Sequence, residues 1–185
     1  IRPNTAKTYA NIIENHIVPA IGMVKLKRLT AIQIQQMYNN SKAKGWVQRF
    51  DTQTSTALSG STVRRIHMVL SSALKQAVKE RLILRNPCGD CIVPKPRKPE
   101  MKILPPEHMK AYLNAAEARG LLPMFYLELV SGLRKGELVA LRWDDVDIQS
   151  KTISVSKQYV RNPDGSLELT RPKTENSVRL VSIPQ

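Results

Sequence analysis

The chain has 185 residues, of which 42% are apolar and 24% charged, a globular rather than a disordered composition. It holds no run of about 18 apolar residues that would read as a membrane span. It opens IRPNTAKTYA, with neither Met nor the apolar core of a secretion signal. With 29 Lys and Arg against 15 Asp and Glu, the net charge is +14, which points to a polyanionic partner, nucleic acid before a membrane surface. The charge is unevenly placed. Residues 1–100 carry 17 Lys and Arg against 5 Asp and Glu, or +12, whereas residues 101–185 carry 12 against 10, or +2. The first half reads as an electrostatic footprint, the second as a near-neutral fold with a few placed cations.

Thr5 is placed to cap a first helix over about 6–17, with Tyr9, Ile12, Ile13 and Ile17 on one face and Pro19 and Gly22 ending it. Thr30-Ala-Ile-Gln33 has the capping-box pattern and predicts a helix through Ile34, Met37 and Tyr38 to about Lys44. Residues 45–60, rich in Ser, Thr and Gln, read as a loop. Ser61 is placed to cap the strongest helix, about 62–81, whose stripe is Val63, Ile66, Leu70, Ala73, Leu74 and Ala77. Arg64, Arg65, Lys75 and Lys79 fall largely off that stripe. Helices of this kind bury a common core as a small bundle.

NPCGDCIVPKPRKPEMK (86–102) then brings four prolines and a cluster of cations, and predicts an extended linker. Its Cys88-Gly-Asp-Cys91 lacks the further ligands of a zinc site, since His16, His67 and His108 have no zinc-finger spacing to it; two reduced thiols in a loop are expected. Beyond it, Pro105-Pro106-Glu107 suits a first helical turn, followed by Met109, Tyr112, Leu113 and Ala116 at helical spacing. A second helix is predicted through LLPMFYLELV and a third through Lys135–Leu141. From Asp145 the period changes: TISVSKQYV alternates as a strand, NPDG (162–165) turns, and SVRLVSI reads as another strand. This region is α+β and ends while a sheet is still being built. That ending, and the start without Met, lead us to expect a piece of a longer protein.

Two stretches carry more than secondary structure: SGLRKGELVALRWDDVDI (131–148) and LTRPKTENSVRLVSIP (169–184). With TAKTYANIIENHIVPAIG, LKRLTAIQIQQMYN, STVRRIHMVLSSALKQAVKERLILRNPC and the PKP segment ahead of them, the chain resembles the tyrosine recombinases, specifically transposon and phage integrases. The resemblance implies a mainly α fold with an α+β second region. Residues 1–85 would be a helical-bundle core-binding domain, 86–102 a basic Pro-rich linker, and 103–185 the N-terminal half of a catalytic domain, helices then antiparallel strands. It further implies a site-specific DNA strand transferase acting through a 3′-phosphotyrosyl intermediate, with no metal or cofactor. Double-stranded DNA and a tetrameric synapse would be the partners, in the cytoplasm and nucleoid of a prokaryotic host.

Arg134 is the first candidate catalytic residue. A guanidinium fixed behind the Gly132 turn suits charge that builds on non-bridging phosphate oxygens, being always charged and matching two oxygens at once. Lys173 matches the family's β-hairpin lysine, which protonates the departing 5′-oxygen, with Arg171 and Arg179 as close rivals. Candidate DNA-binding residues are Lys42, Arg49, Arg64, Arg65, Lys75, Lys95, Arg97, Lys98 and Arg171. In the family a His-x-x-Arg segment, a further His or Trp and the nucleophilic tyrosine come later in the chain. Tyr9, Tyr38, Tyr112, Tyr126 and Tyr159 lie in the wrong order and read as core or surface aromatics. Glu137 reads as a structural hydrogen-bond partner, and Asp144, Asp145 and Asp147 as a solvated acidic turn. Two other classes fit the composition: a non-catalytic DNA-binding regulator on a basic helical bundle, and an RNA-binding module, disfavoured by few aromatics for base stacking.

Overall fold

The computed structural model describes residues 1–44, 57–95, 100–174 and 177–183, and divides into two compact units, Ile1–Glu100 and Met101–Gln185. Among the described residues no helix is long and apolar enough to cross a membrane.

In the first unit, α1 (Pro3–Ile12) begins ahead of the expected Thr5 cap. Arg2 occupies the N-cap position without a side-chain bond, and Pro3 takes the first turn, where a missing N–H is no loss. Nor does Pro19 end the helical run. The chain widens into a π turn, Ile13–Ile17, in which the Val18 N–H reaches back five residues to the Ile13 carbonyl, and α2 (Val18–Ile21) follows with Pro19 in its first turn. One wide turn thus accommodates the ring and the absent donor that would break a regular helix. Ile12 is buried, while Ile13, expected on the same face, is exposed.

α3 (Ala31–Lys44) starts as predicted. The Thr30 N–H donates to Gln33 Oε1 at 3.0 Å and the Gln33 N–H to Thr30 Oγ1 at 3.4 Å. α4 (Gly60–Lys79) is capped by Ser59, not Ser61: the Thr62 N–H donates to Ser59 Oγ at 3.2 Å. Its buried face is Val63, Ile66, Val69, Leu70, Leu74 and Ala77; Ala73, expected there, is exposed and Val69 takes the flank instead. Val63, Ile66, Val69, Leu70 and Leu74 pack against Ile12, Ile21, Ile34, Met37, Tyr38 and Cys88 as one core. Arg81 closes α4 at φ +59°, with the Leu82 N–H on the Ala77 carbonyl and the Arg81 N–H on the Val78 carbonyl, a Schellman end with arginine in the left-handed position.

The segment 86–102 does not run extended throughout. Asn86 Nδ2 donates to the Ser71 carbonyl at 3.0 Å, the Cys88 N–H donates to Asn86 Oδ1 at 3.0 Å, and Pro87–Asp90 makes a 3₁₀ turn with Cys88 buried. The Gln35 amide then pairs with both backbone groups of Ile92, at 2.7 and 3.3 Å. Prolines signalled the break in helix, but the Gln35 amide on α3 and the Ser71 carbonyl and hydroxyl on α4 tie residues 86–92 down.

In the second unit, α5 (Pro106–Glu117) and α6 (Leu122–Ser131) pack through an edge-to-face Tyr112–Phe125 pair, centroids 5.6 Å apart. α7 (Lys135–Val139) is two residues shorter than predicted. β1 (Val146–Asp147), β2 (Thr152–Val155) and β5 (Arg179–Ser182) form an antiparallel sheet in the order β1-β2-β5. β3 (Gln158–Arg161) and β4 (Leu167–Thr170) pair separately as a hairpin closed by the predicted Asn162–Gly165 turn, where Gly165 has φ +91°. The expected single strand TISVSKQYV is therefore two. It breaks at Ser156-Lys157, where Lys157 turns to an ion pair with Asp145 at 2.8 Å. Ile153 and Val155 of β2 are buried with Leu133 and Leu138, alongside Met124, Leu127, Val181 and Ile183.

Gly136 of α7 lies close against the backbone of β3. A Cβ there would stand 2.7 Å from the Tyr159 carbonyl oxygen of β3, so helix or strand would have to move. Gly136→Ala is expected to lower stability by about 1–3 kcal/mol, the range for overpacking, in urea unfolding of the chain.

Candidate active site and nucleic-acid interface

α6 ends at Gly132, which takes φ +63° and donates its N–H to the Glu128 carbonyl. Leu133 follows, buried in the core. With its predecessor anchored and a helix beginning after it, Arg134 sits at the N-cap of α7 and faces outward. The Arg134 N–H donates to Glu137 Oε2 at 2.9 Å, the reciprocal half of a capping box. Its Nη1 donates to Glu137 Oε1, also at 2.9 Å, yet 69% of the Arg134 side chain stays exposed. One amino group is pinned. The rest of the fork has no partner among the described residues.

Glu137 is the pivot, with a side chain only 2% exposed. Arg179 holds it in two-point fashion, Nη1 to Oε1 at 3.1 Å and Nη2 to Oε2 at 2.9 Å. The strand register explains why. Arg179 stands opposite buried Val155, on the face of β5 that also presents Val181 to the core, so its cation needs an acid there. Each Glu137 oxygen accepts two bonds. Those from Arg179, then the backbone and side chain of Arg134, outweigh burial and hold the carboxyl down at about 2. Glu137 is thus the hydrogen-bond partner expected, and Arg179, a rival catalytic cation in the sequence, has both amino groups occupied.

The same device recurs eight residues on. The Arg142 N–H donates to Asp145 Oδ2 at 2.8 Å, and Lys157 pairs with the same carboxylate. Asp145 is therefore no solvated acid, its side chain being 11% exposed. Burial would raise its pKa, but the hydrogen bonds from Lys157 and the Arg142 N–H lower it overall. Asp147 instead accepts the Ser150 N–H, and Asp144 is exposed; among the described residues no three His, Cys, Asp or Glu gather as a metal group.

Lys173 is exposed and lies after β4, in the segment returning to β5. The strands flanking it do not pair with each other: β4 pairs with β3, and β5 with β2. It belongs to a long β2–β5 connection into which the β3–β4 hairpin is inserted, not to a tight hairpin turn. Arg171, two residues earlier, is exposed as well. Among the described residues no hydrogen bond or ion pair joins either to Arg134.

In the first unit, Arg64, Arg65 and Lys75 line one open groove along α4, together with Ser61, His67, Met68, Ser71, Ser72 and Val93. Lys95 is brought to the N-terminal end of that helix, its carbonyl 3.3 Å from where a Cβ on Gly60 would be. Lys42 is exposed on α3 and does not line the groove. Arg49, Arg97 and Lys98 lie outside the described residues. His67, Ser71 and Ser72 escaped the sequence reading, though 64, 67, 68, 71, 72 and 75 repeat with the helical period used for the apolar face.

Glu137→Gln keeps the shape and removes the charge between two cations. It is expected to cost on the order of 3 kcal/mol at neutral pH, as for breaking a buried pair. The folded pKa lies below the usual carboxylate value of about 4.5, so the stabilisation is full above that pH and is lost as pH falls toward about 2. The gap between wild type and variant in urea midpoints should close across that window.

Comparison with known proteins covers both units. Residues 1–41 match the model of the phage integrase N-terminal SAM-like domain. The ICEBs1 integrase of Bacillus subtilis is 39% identical over 185 residues, spanning 98% of this chain and 46% of the relative. A XerC-like tyrosine recombinase of Caldanaerobacter subterraneus is 30% identical over 190 residues, spanning 95% and 45%. The chain thus spans about half the length of the curated relatives it matches. In fold it is similar to the Tn1549 transposon integrase solved with a circular intermediate DNA, with TM-score 0.82 and 20% identity, over 100% of this chain and 57% of that one. A lambda integrase dimer bound to a core site aligns with TM-score 0.64 and 21% identity, over 92% and 54%. Helical unit, α+β unit and sequence relatives agree, and the chain is similar over nearly its whole length to tyrosine recombinases and integrases.

Proposed function

We propose that this chain is the DNA-gripping unit and the first part of the active site of a site-specific recombinase of a mobile element. The fixed, half-free guanidinium of Arg134 carries the reading. Glu137 aims it and leaves donors open toward solvent, as stabilising charge on a phosphate in flight requires. Lys173, on its exposed segment, serves as proton donor to the departing 5′-oxygen, with Arg171 beside it on the DNA backbone. The α4 groove binds phosphates through Arg64, Arg65 and Lys75, extended by Lys42, Arg49, Lys95, Arg97 and Lys98. A tyrosine outside these 185 residues attacks the phosphate and forms the 3′-phosphotyrosyl bond, and strand exchange follows in a tetramer on DNA. The Tn1549 and lambda integrase structures, solved on DNA, support the choice of partner. Two domains, residues 1–85 and 103–185 joined by 86–102, and a location with the nucleoid in a prokaryotic cytoplasm accompany this reading.

Loss of a catalytic cation and loss of a grip separate kinetically. Arg134→Lys in the intact enzyme keeps the charge but not the planar fork, so DNA binding should stay near normal while cleavage on saturating DNA drops by roughly 10²-fold or more. Arg64→Ala should do the reverse, with weaker binding, a salt slope shallower by about 0.9, and normal cleavage at saturation. Wild-type cleavage by Arg134→Lys would leave the SGLRKGEL stretch as a helix start alone.

Incubated with a suicide DNA substrate, the 185-residue chain should bind the duplex and give no covalent protein–DNA band. An adduct on Tyr9, Tyr38, Tyr112, Tyr126 or Tyr159 would place the nucleophile inside this chain and overturn the assignment.

A further inference from the structure

Beneath the α4 groove runs a chain of polar groups that the proposed chemistry does not use. Tyr38, on α3, is 1% exposed, and its hydroxyl lies 3.0 Å from His67 Nδ1 on α4 and 3.8 Å from the buried Cys88 Sγ. Burial pushes the Cys88 thiol up to about 11 and raises the Tyr38 hydroxyl as well, with Cys88 adding to that rise, so both keep their protons. One hydroxyl proton must then choose between an imidazole nitrogen and a thiol sulfur. The nitrogen is much the better acceptor, so Tyr38 donates to His67 Nδ1 and accepts from the weak Cys88 donor. An imidazole whose Nδ1 accepts carries its proton on Nε2.

His67 also lines the groove, between Arg64 and Lys75 along the same face of α4. Its second ring nitrogen has no hydrogen-bond partner among the described residues and is not among the buried unpaired atoms. Burial first, then the Arg64 and Lys75 charges, hold the His67 pKa below the ordinary histidine value, favouring the neutral ring.

We propose that His67 is a further DNA-backbone contact, a neutral imidazole that donates its Nε2–H to a phosphate oxygen in the α4 groove, with its tautomer set by the Tyr38 hydroxyl. This rests on the reading of that groove as a DNA-binding surface. His67 supplies direction where Arg64 and Lys75 supply charge: the phosphate must sit in line with a fixed N–H. The Cys88 thiol gains a role as the far end of the donor chain, which ties the NPCGDC turn to the interface.

The neutral state makes the contact separable from the cations. Losing a neutral donor to a charged acceptor should weaken binding by about tenfold. It releases no counterion, so the slope of log K against log salt should not change. His67→Leu, His67→Gln and Arg64→Ala are compared with the wild-type chain by fluorescence anisotropy on a short DNA duplex over a salt series. His67→Leu should bind about tenfold more weakly at every salt concentration with the wild-type slope. His67→Gln, whose amide nitrogen falls near the Nε2 position, should stay within about threefold of wild type. Wild-type affinity in His67→Leu would overturn the contact, and a slope reduced by about one, as for Arg64→Ala, would overturn its neutrality. If the wild-type chain showed no salt-dependent binding, the DNA reading of the groove would itself have failed, a result distinct from either. The wild-type protein gives a check that no unfolded variant can spoil. Its imidazole ¹⁵N spectrum should show an Nε2–H tautomer whose resonance shifts on adding duplex, and an Nδ1–H tautomer or an unmoved signal would overturn the proposal.

Discussion

A carboxylate buried beside two arginines fixes the second unit. An ionised group with 2% of its side chain exposed is tolerable only when its lone pairs are met, and Glu137 meets them with two bonds to each oxygen. The donors come from two directions, the start of α7 and the strand β5. Satisfying Glu137 therefore sets the register of a helix against a sheet far away in sequence. Arg179, facing the core, is consumed by this task, whereas Arg134 contributes a backbone N–H and one amino group and keeps the rest of its fork in solvent. Lysine at 134, with a single point of charge, would not hold to Glu137 and present a second planar face at once. Arg142, Asp145 and Lys157 repeat the scheme where β2 gives way to β3, so the unit relies twice on an acid that caps a turn and draws in a cation.

What the sequence made legible was local. The Thr30–Gln33 box, the apolar face of α3 and, but for Ala73 and Val69, that of α4, the proline-led start of α5 and the Asn162–Gly165 turn depend on residues within a few positions of one another, and they stand where expected. The misplaced features answer to partners outside the window. Ser59 caps α4 in place of Ser61 in a stretch, Ser-Gly-Ser, that local chemistry hardly separates, and the backbone at Lys95 lies close against Gly60. The break between β2 and β3 follows from Lys157 finding Asp145. Residues 86–92 are held by Ser71 and Gln35, neither visible from a proline count.

The candidate site divides the same way. Arg134 was legible because Gly132, Leu133 and Glu137 form one compact motif. The occupation of Arg179 was not, since it takes the pairing of β5 with β2 to show that residue 179 faces the core beside Val155. Lys173 reads as a hairpin lysine in one dimension, but the inserted β3–β4 hairpin makes its segment part of a longer excursion. On α4 the polar period was present throughout; cations drew notice because charge is conspicuous, and the histidine and serines between them did not. The uneven charge, +12 ahead of residue 101 and +2 after it, agrees with the proposed separation between gripping a backbone and acting on one phosphate.

α7 is five residues long, and that brevity has a consequence for how the arginine it starts is maintained. A helix of that length has no stability of its own, because nucleation costs more than so few bonds return. The turn persists only while Leu138 is packed beside β2 and Glu137 is held from β5, so the amides of α7 should be protected from hydrogen exchange together with those strands, as one cooperative unit. Local fraying cannot dismantle the aimed guanidinium by degrees. Its geometry is as durable as the sheet beneath it, and disappears when that sheet opens.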